Sequence, residues 1–301
     1  MALKKFLMIG VVATLLVACG DDSGSNSVTD SDEVSSSSVC KNCDGSSSSK
    51  AKSSSSSAKS SSSSVKSSSS VAYVKPCRTD SVDPCEYGTL TDERDGQIYK
   101  TVTIGTQIWM AENLNYAYIG VPYKVTNKDN SYTSDSTSWC YKNDSTNCAK
   151  YGRLYTWAAA MDSVGTWSTN GKGCGDGKEC SPTYPVRGIC PEGWHLPDTT
   201  EWHTLFTAVG KSVAGKRLKS TSGWYSNGNG TDAYAFSALP AGNRHYDGDF
   251  DYKGFSAYFW SSTEDDSGNA YYMYLEFNYD DAYLGGYGKS SGYSVRCLKD
   301  E

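Results

Sequence analysis

The sequence predicts an α+β domain that follows an export signal and a long serine-rich segment. Three observations support this prediction. Two stretches with apolar residues at helical spacing come first in the domain, and several short alternating stretches come later. Loops rich in Gly, Asn and Asp separate the later stretches. Helices in one part of the chain and strands in another indicate the α+β class rather than alternating α/β units.

Residues 1–18 are predicted to be an export signal, because two lysines precede an apolar run that is too short to span a bilayer. The run ends in LVAC, which resembles the lipobox of bacterial lipoproteins. This resemblance implies cleavage before Cys19 and lipidation of its thiol. Because Gly20 rather than Asp follows, the expected location is the outer membrane, facing the periplasm or the cell surface.

Residues 19–72 are predicted to form a flexible tether, since serine runs such as SSSSKAKSSSSSAKSSSSSVKSSSS cannot supply a hydrophobic core. Residues 73–90 are interpreted as a lead-in that carries a disulfide. Residues 91–301 are interpreted as the folded domain. The part of the chain after the tether is long enough for one substantial domain.

The composition bears on the class of partner. The formal net charge is −6 and no basic stripe is present, so nucleic acid is not an expected partner. The chain contains 23 Tyr and 8 Trp against 7 Phe. This bias towards amphipathic aromatic residues suits an exported domain, and it also suits stacking against sugar rings.

The cysteines predict disulfides. Of eleven cysteines, ten remain when the lipidated Cys19 is set aside, an even number in an oxidising compartment. A zinc cluster is the alternative, but His is scarce and the spacing does not fit. Short loops favour neighbouring pairs, and elimination leaves one long-range pair. The expected pairs are Cys40–Cys43, Cys77–Cys85, Cys140–Cys148, Cys174–Cys180 and Cys190–Cys297. For Cys40–Cys43, a cross-link to a partner is the alternative.

Two segments predict helices. In YGRLYTWAAAMD, the apolar residues recur at i, i+3, i+4 and i+7, namely at Leu154, Trp157, Ala158 and Met161. In GICPEGWHLPDTTEWHTLF, Asp198 is expected to be the N-cap of a helix and Glu201 its capping-box partner, with Gly210 ending the apolar run. A metal site built from His195 and His203 is the alternative for this second stretch.

Alternating patterns predict strands. GQIYKTVTIGTQIWM is predicted to be a hairpin with a turn at Gly105-Thr106 and one apolar face made of Ile98, Val102 and Ile104. The later strand candidates are 233–240, 258–264, 270–278 and 292–299. In 270–278, the apolar residues Tyr271, Met273, Leu275 and Phe277 alternate with Tyr272, Tyr274 and Glu276. One face of that strand is therefore expected to be apolar and the other amphipathic.

The order of sequence blocks resembles that of the Fibrobacter succinogenes major paralogous domain (FISUMP). The blocks are TDERDGQIYKTVTIGTQIWMAENLNY, YGRLYTWAAAMD, GICPEGWHLPDTTEW, LKSTSGW, NGTDAYAFSALPAGNR, FWSSTE, AYYMYLEF and SVRCLKD. The resemblance covers about residues 91 to 300. It implies a C-type-lectin-like fold, with two helices packed on a small twisted antiparallel sheet and a long loop region. Cys190–Cys297 resembles the disulfide that joins a helix region to the last strand of that fold.

The sequence does not predict an enzyme. It lacks the G-x-S-x-G nucleophile elbow, and GKGCGDGKE lacks the spacing of a phosphate loop. No cofactor is expected. The acidic residues between 247 and 266 keep a glycan hydrolase as an alternative. Asp247, Asp249 and Asp251 resemble the start of an EF-hand loop, which keeps calcium as an alternative, although Tyr252 occupies the required glycine position.

The sequence therefore favours a non-catalytic, lipid-anchored envelope protein whose domain binds a ligand, with a polysaccharide preferred. Aromatic rings would pack on sugar rings, and polar side chains would bond to hydroxyls. The candidate ligand-binding residues are Asn243, Arg244, Tyr246, Asp247, Tyr252, Trp260, Tyr272 and Tyr274. For Trp260 a core position is the alternative, and for Arg244 a contact within the fold. The alternative function is a structural or protein-interaction module of the outer membrane.

Overall fold

A computed structural model describes residues 72–301 apart from 80–81, 125–132 and 137. The predicted export signal, Cys19, the Cys40–Cys43 pair and the tether up to residue 71 lie outside the described residues. The described part is mixed α+β and mostly β, with a few short helices and several antiparallel sheets.

The strands are short and are spread along the described chain. They are β1 (Tyr87–Asp92), β2 (Gln97–Ile104), β3 (Gln107–Met110), β4 (Ile119–Lys124), β5 (Thr133–Ser136), β6 (Ser138–Trp139), β7 (Leu154–Tyr155), β8 (Trp194–His195), β9 (Asn243–Arg244), β10 (Phe250–Asp251), β11 (Ser256–Glu264), β12 (Asn269–Glu276), β13 (Tyr283–Gly288) and β14 (Leu298–Lys299). The α-helices are α1 (Ser145–Tyr151), α2 (Trp157–Ala160), α3 (Thr199–Val209) and α4 (Ala214–Leu218). Single 3₁₀ turns occur at Tyr141–Asn143, Lys211–Val213 and Tyr225–Asn227.

Two antiparallel sheets organise the described chain. A five-stranded sheet has the order β1-β2-β3-β14-β8, so the last strand lies between β3 and β8, with Leu298 opposite both Trp109 and His195. A three-stranded sheet has the order β11-β12-β13. Three two-stranded pairs, β9 with β10, β4 with β5 and β6 with β7, complete the pairing. The chain end is thereby tied to the middle of the larger sheet.

The predicted hairpin is confirmed as β2 and β3. Gly105 in its turn has φ +66°, a left-handed conformation that glycine adopts without steric cost. Val102 and Ile104 are buried, but Ile98 is 67% exposed. Its inclusion in the apolar face was wrong, because at the start of β2 the buried side chains, Tyr99 and Thr101, lie on the opposite face of the strand.

The second predicted helix is confirmed as α3. The Asp198 carboxylate accepts a hydrogen bond from the Glu201 backbone N–H (2.8 Å), and the Glu201 carboxylate accepts one from the Asp198 N–H (2.8 Å), forming a capping box. The first predicted helix is much shorter than expected. Leu154 belongs to β7, and α2 spans only Trp157–Ala160 with Thr156 as its N-cap. The Tyr155 N–H donates to the Tyr293 carbonyl instead of entering a helix.

Of the four later strand predictions, some are confirmed and others are wrong. Segment 258–264 is confirmed as part of β11, and segment 270–278 is confirmed as far as Glu276, where β12 ends. Segment 233–240 is not a strand, because Ala235 and Ser237 have positive φ and the Asp232 carboxylate holds the turn through the Ser237 backbone and hydroxyl. In 292–299, only Leu298–Lys299 is a strand.

The three-stranded sheet lies between two hydrophobic clusters. On its inner face, Phe259, Met273 and Leu275 pack with α3 and the β2–β3 hairpin. On its other face, Trp260 and Ala270 pack in a second cluster with α2 and the Cys190–Cys297 region. One end of the three-stranded sheet is buried on both faces, and this burial fixes the register in which its strands pair. The other end can therefore face solvent while the strands keep the same pairing.

All four disulfides predicted within the described residues are formed. They are Cys77–Cys85, Cys140–Cys148, Cys174–Cys180 and Cys190–Cys297. The last joins residues 107 positions apart and is buried in the second cluster. Such a closure removes more conformational freedom from the unfolded chain than the three short loops do.

Candidate functional site

A cleft with a volume of about 590 Å³ lies on the outer face of the three-stranded sheet, where the second hydrophobic cluster ends. We call it the tyrosine cleft. Its lining residues are Asn243, His245, Asp247, Asp251, Tyr252, Ser256, Tyr258, Tyr272, Tyr274, Glu276, Tyr287 and Tyr293. Concave aromatic surfaces with a few polar groups are typical of binding sites.

Strand pairing explains why these side chains meet. Tyr258 on β11 lies opposite Tyr274 on β12, and Ser256 lies opposite Glu276. Alternate residues of a strand share a face, so Tyr272, Tyr274 and Glu276 all project from the outer side of β12. The Lys219 ammonium donates to the backbone carbonyls of Glu276 (2.8 Å), Phe277 (3.2 Å) and Tyr279 (2.9 Å), which fixes the end of that strand.

The tyrosine rings support one another. The Tyr258 ring is stacked on Tyr274 at 5.1 Å between centroids and on Tyr293 at 4.9 Å. At the rim, the side chains of Tyr252 and Tyr287 are 57% and 38% exposed. Burial raises the pKa of Tyr258 and Tyr272, so their hydroxyls stay protonated and available as donors. The cleft therefore has a rigid aromatic floor and an accessible aromatic rim.

The polar lining of the cleft includes three acidic side chains, Asp247, Asp251 and Glu276. Asp247 accepts from the Asp249 backbone N–H (3.1 Å) and pairs with His245 Nδ1 (2.9 Å), and these contacts lower the pKa of its carboxyl. Burial raises the pKa of the Glu276 carboxyl. Asp251 projects from β10 opposite Asn243. The lining includes neither Lys nor Arg.

Asn243 carries an unsatisfied acceptor. The residue is 5% exposed, and its Oδ1 has no hydrogen-bond partner among the described residues. A buried polar atom without a partner costs about 1–3 kcal/mol. A ligand that brings a donor to this wall of the cleft would offset that cost.

The structure brings together five of the residues that the sequence predicted to bind ligand: Asn243, Asp247, Tyr252, Tyr272 and Tyr274. Three others do not line the cleft. Trp260 is 0% exposed and donates from Nε1 to the Tyr155 carbonyl (2.7 Å), so it is a core residue. The Arg244 guanidinium lies over the Trp139 ring at 4.1 Å. The Tyr246 ring lies beside His245, tilted by 44° with 4.0 Å between ring centroids, and is not part of the lining.

Sequence reasoning missed Tyr258, Tyr287, Tyr293, His245 and Asp251 as ligand-binding candidates, and it left Glu276 unassigned. Alternation within β11 puts Tyr258 on the same face as Trp260, and pairing with Tyr274 would have selected it. Tyr293 could not be found this way. It reaches the floor through an isolated bridge to Tyr155, which no local pattern indicates.

The calcium alternative receives no geometric support in the described part of the chain. No group of three or more His, Cys, Asp or Glu side chains there is arranged to hold a metal ion. Asp249 does not line the cleft, and Asp247 is engaged by His245. A calcium site at Asp247, Asp249 and Asp251 stays a prediction.

His195 has a structural contact that the capping pattern did not indicate. Its Nε2 bonds to Glu201 Oε1 (2.8 Å) and its Nδ1 to Asp300 Oδ1 (2.7 Å), so α3 is connected to the chain end. Burial alone would lower the pKa of His195, but the two carboxylates outweigh burial and raise it. His203 is exposed on α3 and packs edge-on against Phe206. The two histidines therefore do not form one site.

A second cavity contains a buried arginine at its base. Arg296 donates from Nη2 to Asn113 Oδ1 (2.5 Å) and from Nη1 to the Phe236 carbonyl. Burial lowers the pKa of Arg296 to about 9. Its guanidinium is packed against the Phe236 ring at 4.4 Å, so it serves the core and is closed to a ligand.

The fold and the cleft together define a disulfide-bonded, mostly β domain with an open aromatic cleft. The chain matches the family model described as the Fibrobacter succinogenes major domain over residues 102–299, and it belongs to that family, as the sequence resemblance predicted. No curated protein and no solved structure matches it. Within the described ranges, no helix has both the length and the apolar character needed to cross a membrane.

Proposed function

We propose that this protein is a non-catalytic, lipid-anchored envelope protein that binds polysaccharide in the tyrosine cleft. The observation that carries the proposal is the set of tyrosine rings that β11, β12 and β13 present in one concave surface. Aromatic faces offer flat apolar area to sugar rings at low cost in side-chain entropy. The cleft carboxylates and Asn243 are acceptors for sugar hydroxyls.

We infer that the domain has a C-type-lectin-like arrangement. Two features support this inference. The last strand, β14, pairs with β3 near the start of the domain, and Cys190–Cys297 ties the segment before α3 to the residues just before that strand. The two features together close the domain on itself, as the family resemblance implies.

The anchor completes the proposal. Lipidation at Cys19, followed by the serine-rich tether 19–72, would hold the domain at the bacterial outer membrane. Several acyl chains on one terminus make a stable anchor where a single chain would be marginal. The domain would then reach polysaccharide at the periplasmic or the outer face.

A glycan hydrolase is the second candidate, because Asp251 and Glu276 line the same cleft from separate hairpins. Hydrolysis of a glycosidic bond needs a pair of carboxylates, one on each side of the bond that is cleaved. A structural or protein-interaction module is the third candidate, since a cleft of this kind also accepts a side chain of a partner protein.

The test uses the mature lipidated protein in detergent. Its depletion from solution by insoluble cellulose, xylan and peptidoglycan is measured, together with sugar released into the supernatant. We expect depletion by at least one polymer without release. Tyr274→Ala should abolish depletion, whereas Tyr279→Ala, which removes an exposed ring outside the cleft, should not. Released sugar would replace the proposal with the hydrolase. Depletion by no polymer would favour the protein-interaction module.

A further inference from the structure

We infer that the tyrosine cleft selects glycans by charge: it accepts uncharged chains and excludes chains that carry carboxylate groups. Asp251 and Glu276 are the specificity-determining residues. This inference rests on the proposed function and specifies its substrate class. Neither the family match nor the aromatic rings indicate such a preference, because a ring face accepts charged and uncharged sugars alike.

The first argument is the charge of the lining. Asp247, Asp251 and Glu276 contribute three carboxylates, and the lining residues include no Lys or Arg. Two lysines close to lining residues, Lys219 and Lys253, serve other contacts. The Lys219 ammonium is held by three backbone carbonyls, and Lys253 Nζ donates to Asn147 Oδ1 at 3.1 Å. A ligand in the cleft therefore meets a negative potential that no Lys or Arg of the lining offsets.

The second argument concerns which carboxylates remain available. The Asp247 carboxylate is bonded to His245 Nδ1 at 2.9 Å and to the Asp249 backbone N–H at 3.1 Å, so its oxygens are already engaged within the protein. Among the described residues, Asp251 and Glu276 form no salt bridge, and Glu276 is partly desolvated. Like charges repel more strongly where water is partly excluded, so these two residues oppose an incoming carboxylate.

The third argument is that the cleft offers hydrogen-bond acceptors, which need a ligand with hydrogen-bond donors. Asn243 Oδ1 is buried and has no partner among the described residues, and it lies in the wall beside Asp251. An ionised carboxylate on a sugar has only acceptors, whereas a hydroxyl donates. Acceptors on the protein side therefore match a chain rich in hydroxyls. The carboxylates of Asp251 and Glu276 therefore favour a hydroxyl-rich chain through hydrogen bonding as well as through charge.

The test compares glycan pairs that differ mainly in charge. The pairs are methyl-esterified and de-esterified homogalacturonan, xylan and glucuronoxylan, and hydroxyethyl cellulose and carboxymethyl cellulose. Binding to the mature protein in detergent is measured by calorimetry at low salt and at about 0.5 M salt, where screening is strong. For each pair that binds, we expect the uncharged member to bind at least about tenfold more tightly at low salt, with the ratio shrinking at high salt.

Two double variants then test whether Asp251 and Glu276 cause the preference for uncharged glycans. Asp251→Asn with Glu276→Gln should strengthen binding of the charged member and narrow the ratio to about threefold or less. Glu93→Gln with Asp280→Asn removes the same formal charge from exposed positions outside the cleft and should leave the ratio unchanged. Equal binding of both members by the native protein would overturn charge selection and leave glycan binding standing. An unchanged ratio in the double variant would overturn the residue assignment. Binding of no member would overturn the proposed function and this inference with it.

Discussion

The two faces of β12 show how one strand serves two purposes. On the inner face, Met273 and Leu275 are fully buried against α3 and the hairpin. On the outer face, Tyr272, Tyr274 and Glu276 are half-buried and line the cleft. Residues only one position apart therefore belong to different functional parts of the molecule.

The aromatic residues follow the same division. Trp109, Trp157, Trp202 and Trp260 are fully buried, whereas most cleft tyrosines keep an accessible edge or face. A tryptophan ring fills more volume, and a tyrosine can bury its ring while its hydroxyl reaches water. The difference teaches that tyrosine lines an accessible cleft in this protein as well as filling part of the core.

The largest effect is expected on the inner face. Leu275→Ala should lower the free energy of unfolding by about 2–5 kcal/mol, because it removes a fully buried side chain and leaves a cavity. Urea denaturation with the disulfides intact measures this loss. Glycan affinity per folded molecule should stay within about twofold. The matched control is Tyr274→Ala on the outer face, which should lose affinity and less stability. If Tyr274→Ala lowered the free energy of unfolding more than Leu275→Ala does, the assignment of the inner face to the core and the outer face to the cleft would be wrong.

A smaller effect is expected at the rim. Tyr252 has φ +61° and an exposed ring, so Tyr252→Gly removes the ring and relieves an unfavourable backbone conformation. We expect glycan affinity to fall about tenfold, typical of a lost aromatic anchor. The free energy of unfolding should change by less than about 1 kcal/mol, since relief of strain offsets the greater freedom of unfolded glycine. Tyr252→Phe keeps the ring and should keep the affinity. Unaltered affinity of the glycine variant would remove Tyr252 from the site.

The smallest effect concerns the fold alone. Because Glu201 and Asp300 raise the pKa of His195 above its ordinary 6.5, the folded state binds this proton more tightly than the unfolded state. The resulting stability is fully present below about pH 6.5 and is lost as pH rises through the folded pKa. Melting temperature measured from pH 6 to about pH 9 should therefore decline. His195→Gln should flatten this decline, and an equal decline in both proteins would refute the assignment.

Local signals account for what the sequence predicted well. Asp198 and Glu201 define the start of α3 within four positions, and Gly105 defines the hairpin turn. The short disulfides followed from spacing, and Cys190–Cys297 followed from elimination. The helix cap, the hairpin turn and the short disulfides each join residues that are close in sequence. For Cys190, pairing of the other cysteines left Cys297 as the single remaining partner.

Two kinds of contact account for the failures. Segment 233–240 is mostly apolar, but the buried Asp232 carboxylate, five positions from Ser237, holds it in a local turn. The helix expected around Leu154 is cut short because Tyr155 pairs with Tyr293, far along the chain. Three of the twelve cleft residues, Tyr272, Tyr274 and Glu276, were predictable from alternation in β12. The rest depends on the register between β11 and β12 and on the position of Tyr293, which no single segment encodes.

The Cys190–Cys297 bond also has a mechanical consequence. All twelve residues that line the tyrosine cleft lie between these two cysteines. If a fixed polymer held in the cleft is pulled against an anchor on the N-terminal side, tension reaches the cleft through Cys190. At that point the load divides between two covalent paths, one running forward from Cys190 and one running backward from Cys297. Stretching can then unfold residues on the N-terminal side of Cys190, while both covalent paths carry the force that acts on the cleft.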